Sequence, residues 1–247
     1  MNDSIHSISF SNLTFAFIPV IIMLCVIWKW SLGLKNSLYA VGRMLTQLLL
    51  IGYVLSTIFS ADNGLIILGI LLVMLVSSSW ISLGTVKEQR LALFKIGFLA
   101  IIVGGGSTLV IISQGVLRLD PWYLPQYMIP IAGMIFANSM NSVSLAAERL
   151  TAELGRGLEY DKAKKIALKA ALIPITNSLF AVGLVSIPGM MTGQILSGVA
   201  PPIAARYQIM VMCMIFGSTG ISASCFLTLA QSYFTAHALP QQSAKTP

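Results

Sequence analysis

Seven apolar stretches, each about as long as a lipid bilayer is thick, constrain this chain more than any other feature. They run over about 13–28, 38–59, 65–83, 93–113, 127–147, 172–197 and 203–233. A hydrocarbon core about 30 Å thick takes about 20 residues of helix. Helix is required there because lipid offers no partner to an unpaired N–H or C=O. A β-barrel would alternate polar and apolar residues, and these runs do not. Composition agrees: 56% of residues are hydrophobic and 9% charged, with a mean hydropathy of +0.86. A soluble domain carries about 25% charge, so 15 basic and 8 acidic side chains cannot cover the surface of 247 residues. A soluble enzyme and a disordered chain are thereby excluded. Three cysteines exclude a disulfide scaffold. The expected fold is all-α: a polytopic membrane protein of about seven transmembrane helices, forming one domain over 1–247.

The connectors set the expected orientation. Lys29 and Lys35 fall in one connector, Lys87, Arg90 and Lys95 in or beside the next, and six basic residues in 148–171. With Lys245 in the tail, twelve of the fifteen Lys and Arg lie on one side. Only Arg118 and Arg206 lie on the other. Basic connectors stay cytoplasmic, so the N-terminus is expected outside and the C-terminus in the cytoplasm. Seven spans give the same parity. The net charge of +7 thus reads as topology, and nucleic acid is not an expected partner. The segment 148–171 is the one sizeable polar connector. From Leu158 it reads as a helix, with Lys162, Lys165 and Lys169 on one face and Ala163, Ile166, Ala167 and Ala170 on another.

Motifs for self-sufficient chemistry are missing. The glycine run Gly104-Gly105-Gly106-Ser107-Thr108 lacks the lysine of a phosphate loop and reads as a close-packing helix surface. His6 and His237 lie in the end segments, so no histidine-based triad or zinc motif exists. The chain is not expected to be an enzyme or to bind a cofactor. Polar residues inside the spans carry the functional expectations instead. Arg43 either snorkels to the interface or lines a polar path with Gln47, one turn on. Asn138, Asn141 and Ser142 share a helical face, either as interhelical glue or as a substrate-lining stripe that Asn177 could meet. Pro188-Gly189 interrupts the sixth stretch, as a kink or as a break marking a transport site. Eight methionines, from Met128 to Met214, read as gap-fillers or as soft-metal ligands; no metal-ligand set is assigned.

Three blocks carry a resemblance: VGRMLTQLLLIGYVL (41–55), MIPIAGMIFANSM (128–140) and the long block 171–212 from ALIPITNSLF to RYQIMVM. Over about residues 20–235 the chain resembles the bacterial FetB-type iron-export permeases, a family that includes the plant aluminium-sensitivity permeases. The resemblance implies an ABC transporter permease in the inner membrane, working as a homodimer with a separate ATPase subunit that binds the ATP. It implies iron export, with another metal or a nucleotide sugar as the alternative cargo. A cytoplasmic coupling element would fall at Glu153, Leu154, Gly155, Arg156 and Gly157, where family members read leucine-glycine-alanine. A self-contained secondary carrier is the competing class, and it often uses an acidic residue inside the membrane, which the spans lack. A non-transporting scaffold is the third.

Overall fold

The computed structural model describes residues 8–60 and 63–242, so Asp3, His6, Asp62 and Lys245 lie outside the described residues. Among those residues the structure is helical, with a single isolated bridge between Val182 and Ser186 and no strand. The chain forms two compact units, residues 1–61 and 62–247.

The first unit holds α1 (Phe10–Phe15), α2 (Ile18–Lys29) and α3 (Leu34–Phe59). Ser9 caps α1, its Oγ accepting from the Asn12 N–H at 3.2 Å. Pro19 sits in the first turn of α2, where a missing N–H costs nothing. Ser31 and Gly33 take positive φ in the turn to α3, and α2 and α3 contact each other. No residue of α2 is buried. A helix apolar on every side and exposed on every side is stable only in an apolar solvent.

In the second unit, α4 (Gly64–Ser82) starts at Asn63, whose Oδ1 accepts from the Leu65 N–H at 2.9 Å. One helical rod then covers Lys87–Val116. It contains α5 (Arg90–Ile101), a π turn at Ile102–Gly106, α6 (Ser107–Val110) and a second π turn at Ile111–Val116. Next come α7 (Pro125–Gly155), α8 (Tyr160–Ala181), α9 (Gly189–Leu196), α10 (Pro201–Leu229) and α11 (Gln231–Gln242). α7 is the hub, touching α4, α8, α10 and the rod. Its buried stripe, Ile131, Ile135, Ser139, Ser142, Ala146 and Leu150, follows the three-and-four spacing of one helix face. Lipid is as apolar as leucine and gives helices little reason to associate, so close approach and hydrogen bonds must hold them. Ser142 Oγ donates to the Thr219 carbonyl at 3.1 Å, and Ser139 Oγ to that of Ser218 at 3.4 Å, tying α7 to α10.

The glycine run is the packing surface expected of it. A Cβ added at Gly104 would lie 2.8 Å from Ser222 Cα on α10, and one at Gly105 would lie 3.1 Å from the Phe136 ring on α7. Gly106 faces open space.

Among the described residues, six helical segments are long and apolar enough to cross a membrane: Ser11–Lys29, Leu34–Leu55, Gly64–Ser82, Lys87–Val116, Pro125–Gly155 and Pro201–Ala236. The seventh expected span, 172–197, is not among them. Its helix stops at Ala181 and restarts at Gly189. α7, at 31 residues, is about 46 Å long and outreaches a core of about 30 Å. Glu148, Arg149 and Glu153 fall in its C-terminal turns, which lead into the start of α8. In this hairpin Lys162, Lys165 and Lys169 are exposed while Ala163 and Ala167 are buried, the two faces read from the sequence.

Gly104→Leu is expected to force the rod away from α10 and lower unfolding stability by about 1–3 kcal/mol. Gly106→Leu should leave stability within about 0.5 kcal/mol. Reversible denaturation of the two variants in micelles measures the difference.

Candidate functional site

The break in the sixth stretch follows from its residues. Proline disfavours helix at the residue before it and removes a donor, so Pro188 ends any helix arriving through Ile187. Gly183 takes φ +82°, a conformation that disfavours a side chain. The chain then folds back on the end of α8: the Ala181 carbonyl accepts from Leu184, Val185 and Ser186 at 3.2, 2.8 and 3.2 Å, and Gly183 N–H donates to Ser186 O at 3.0 Å. Pro188 becomes the N-cap of α9. The stretch is thus unwound over 182–188 rather than bent at one residue.

Beside the break lies a cavity of about 380 Å³. α7 gives it Met134 and Asn138, α8 gives Ser178, the break gives Ser186, Pro188 and Gly189, and α10 gives Gln208 and Met212. A second cavity of about 190 Å³ shares Met134, Met190 and Val211 with the first and extends to Gln126, Gln194 and Tyr207. The two lie side by side within the second unit, with those residues as their common wall. None of the described residues lining either carries a formal charge. Among the described residues, no group of three His, Cys, Asp or Glu could hold a metal.

The polar groups in the walls are unevenly satisfied. Asn138 Nδ2 donates to the Met134 carbonyl at 2.8 Å, and Ser178 Oγ to that of Pro174 at 3.0 Å. Gln208 is 5% exposed, yet its Oε1 has no hydrogen-bond partner, and Gln194 Oε1 is in the same position. An unsatisfied buried amide costs about 1–3 kcal/mol.

Of the residues singled out from sequence, Asn138, Pro188 and Gly189 line the larger cavity. Asn141 and Asn177 are exposed and are not among its walls. Arg43 and Gln47 are exposed on α3 in the first unit. The two glutamines went unnoticed in the sequence, because a lone glutamine in GMMTGQIL or RYQIMVM carries no periodic signal.

The remaining five residues form the elbow between α7 and α8. Glu153 is 4% exposed and is paired with Arg149 Nη2 at 2.6 Å and Arg156 Nη1 at 3.1 Å. These guanidinium groups offset a carboxylate placed at the negative end of a helix. Leu154 is half-buried, and Gly155, Arg156 and Gly157 are exposed. Gly157, at φ +84°, closes the helix: its N–H donates to Leu154 O at 2.9 Å and Leu158 N–H to Glu153 O at 3.2 Å. Glycine at this position explains why Gly157 follows Arg156. Tyr160 anchors the start of α8, its hydroxyl donating to the Leu227 carbonyl of α10 at 2.5 Å. Burial, reinforced by neighbouring Asp161, raises the Tyr160 phenol from 10.0 to about 12.

Comparison with known proteins supplies the relationship. Residues 10–160 and 159–234 match the family described as "Uncharacterised protein family (UPF0014)". The chain belongs to the UPF0014 family. It is 35% identical to the "Probable iron export permease protein FetB" of Escherichia coli over 95% of this chain and 96% of that one. It is 34% identical to the "UPF0014 membrane protein slr1647" of Synechocystis, covering 81% and 83%. The Arabidopsis "Protein ALUMINUM SENSITIVE 3" is 32% identical, covering 87% and 85%. No solved structure matches. This UPF0014 chain is therefore a multi-pass membrane permease.

Tyr160→Phe is expected to cost about 1 kcal/mol at neutral pH. A raised phenol contributes stability that is complete below pH 10 and lost as pH rises to about 12. The gap between parent and variant should therefore narrow across that window. Paired denaturation curves at pH 8 and at pH 11.5 would read it.

Proposed function

We propose that this UPF0014 chain is one transmembrane permease domain of an ABC exporter, energised by a separate ATPase. Similarity over nearly the full length of both chains, at 35% identity, to a protein named an iron export permease is the observation that carries this reading. Two features of the chain support it. It has no phosphate-binding loop of its own, and its α7–α8 hairpin carries an ion-paired elbow. In this reading Glu153, Leu154, Gly155, Arg156 and Gly157 transmit the ATPase stroke. α8 and α10, joined through Tyr160, carry it to the cavity at the break. Cargo passes Asn138, Pro188 and Gly189. Asn141, Asn177, Arg43 and Gln47, exposed in the single chain, belong to surfaces that a second permease copy or the same pathway covers. Iron is the cargo carried over from the bacterial relative's name, and another metal or a nucleotide sugar is the alternative. The protein sits in the inner membrane with its basic connectors, and so the hairpin, in the cytoplasm.

Co-reconstitution with the cognate ATPase tests the arrangement. The permease should stimulate ATP hydrolysis and outward iron flux. Arg156→Glu beside the buried Glu153 should reduce that stimulation by about tenfold while ATPase-free folding is retained. Flux driven by an ion gradient without the ATPase would favour a secondary carrier instead.

A further inference from the structure

The larger cavity has an unusual inventory: three thioethers and no formal charge among its described walls. The methionines come from three separate elements, Met134 on α7, Met190 on α9 and Met212 on α10. We infer that this space is a binding site for a soft, singly charged metal cation of the Cu(I) class. The thioethers of Met134, Met190 and Met212 hold the ion.

Hardness and charge both point this way. Thioethers are soft ligands that select Cu(I), whereas magnesium, calcium and manganese prefer carboxylate, carbonyl and water. The cost of taking an ion out of water grows with the square of its charge. A wall without carboxylates can therefore hold a bare monovalent ion more readily than a bare divalent one. The break adds no net charge: it presents the C-terminal end of α8 at Ala181 and the N-terminal end of α9 at Gly189 to the same wall, and their partial charges are opposite in sign. Iron carried through such a space would travel as a complex that brings its own hard donors. The inference deepens the exporter reading and draws its physiological meaning from it, but binding itself requires only this chain.

The test uses the full-length protein in lipid nanodiscs with Cys25, Cys213 and Cys225 replaced by alanine, because thiols would compete for the probe. The probe is Ag⁺ as nitrate in chloride-free buffer, a redox-stable substitute for Cu(I). One Ag⁺ per chain should bind, with sulfur neighbours in X-ray absorption that only methionine can now supply. Met134→Leu, Met190→Leu and Met212→Leu should each weaken binding by about tenfold, with Met44→Leu on α3 unchanged. About a hundredfold excess of Fe²⁺ should not displace the ion. A shell of oxygen and nitrogen alone around Ag⁺ in the parent chain, which needs no folded variant, would overturn the site. So would equal affinity in the Met134, Met190 and Met44 variants. Ag⁺ binding in a protein that fails to stimulate the ATPase would sink the exporter reading and leave the site standing. Stimulation without Ag⁺ binding would do the reverse.

Discussion

Backbone satisfaction in a solvent without hydrogen bonds is the constraint from which the rest of this structure follows. Water can repair a broken helix at a protein surface, whereas lipid cannot. Every apolar stretch but one is accordingly helical with at most a short turn in it, and the exception recovers what it can. The Ala181 carbonyl takes three N–H groups, and Gly183 closes a small ring with Ser186. Ser186, Pro188 and Gly189 then border the cavity, while Leu184 and Val185 stay exposed in the single chain. Non-helical backbone at membrane depth is tolerated where it lines such a space, and here fold and candidate site are one feature.

Cohesion has to come from sources other than the hydrophobic effect. Glycine at 104 lets the rod approach the α10 backbone, and serine hydroxyls on α7 reach across to α10 carbonyls. Each bond is worth only about 0.5–2 kcal/mol, but they converge on α10, which also forms one wall of the cavity. A shift of α10 would therefore move Gln208 and Met212 together. Tyr160 fixes the other end of the same helix to the α7–α8 elbow. Movement imposed at the hairpin has a direct mechanical route to the cavity.

Much of this was legible in the sequence, and the unreadable parts share a cause. Span length and charge-poor composition fixed an all-helical membrane protein, the glycine run marked a close approach, and the lysine and alanine faces of α8 were read correctly. Periodicity could say that Asn138, Asn141 and Ser142 lie near one another on α7. It could not say which part of that face turns inward, because lipid and protein interior are equally apolar. Hence Asn138 lines the cavity, Ser142 is buried against α10, and Asn141 is exposed. The sixth stretch looked like one long span because its unwound residues, Val182, Leu184, Val185 and Ile187, are as apolar as its helical ones. Only Pro188-Gly189 marked an interruption, and the role of Gly183 came with its positive φ. Gln208 was silent for a different reason: a single amide becomes significant only when its partner is seen to be missing.

The account stands on the cavity at the break being open to water within the bilayer. Single cysteines placed in a cysteine-free chain in membranes, and probed with a charged thiol reagent, test this directly. Ser186→Cys, in the cavity wall, should react, whereas Ile209→Cys, 64% exposed on α10 and turned toward lipid, should not. Protection of Ser186→Cys together with rapid labelling of Ile209→Cys would contradict the account.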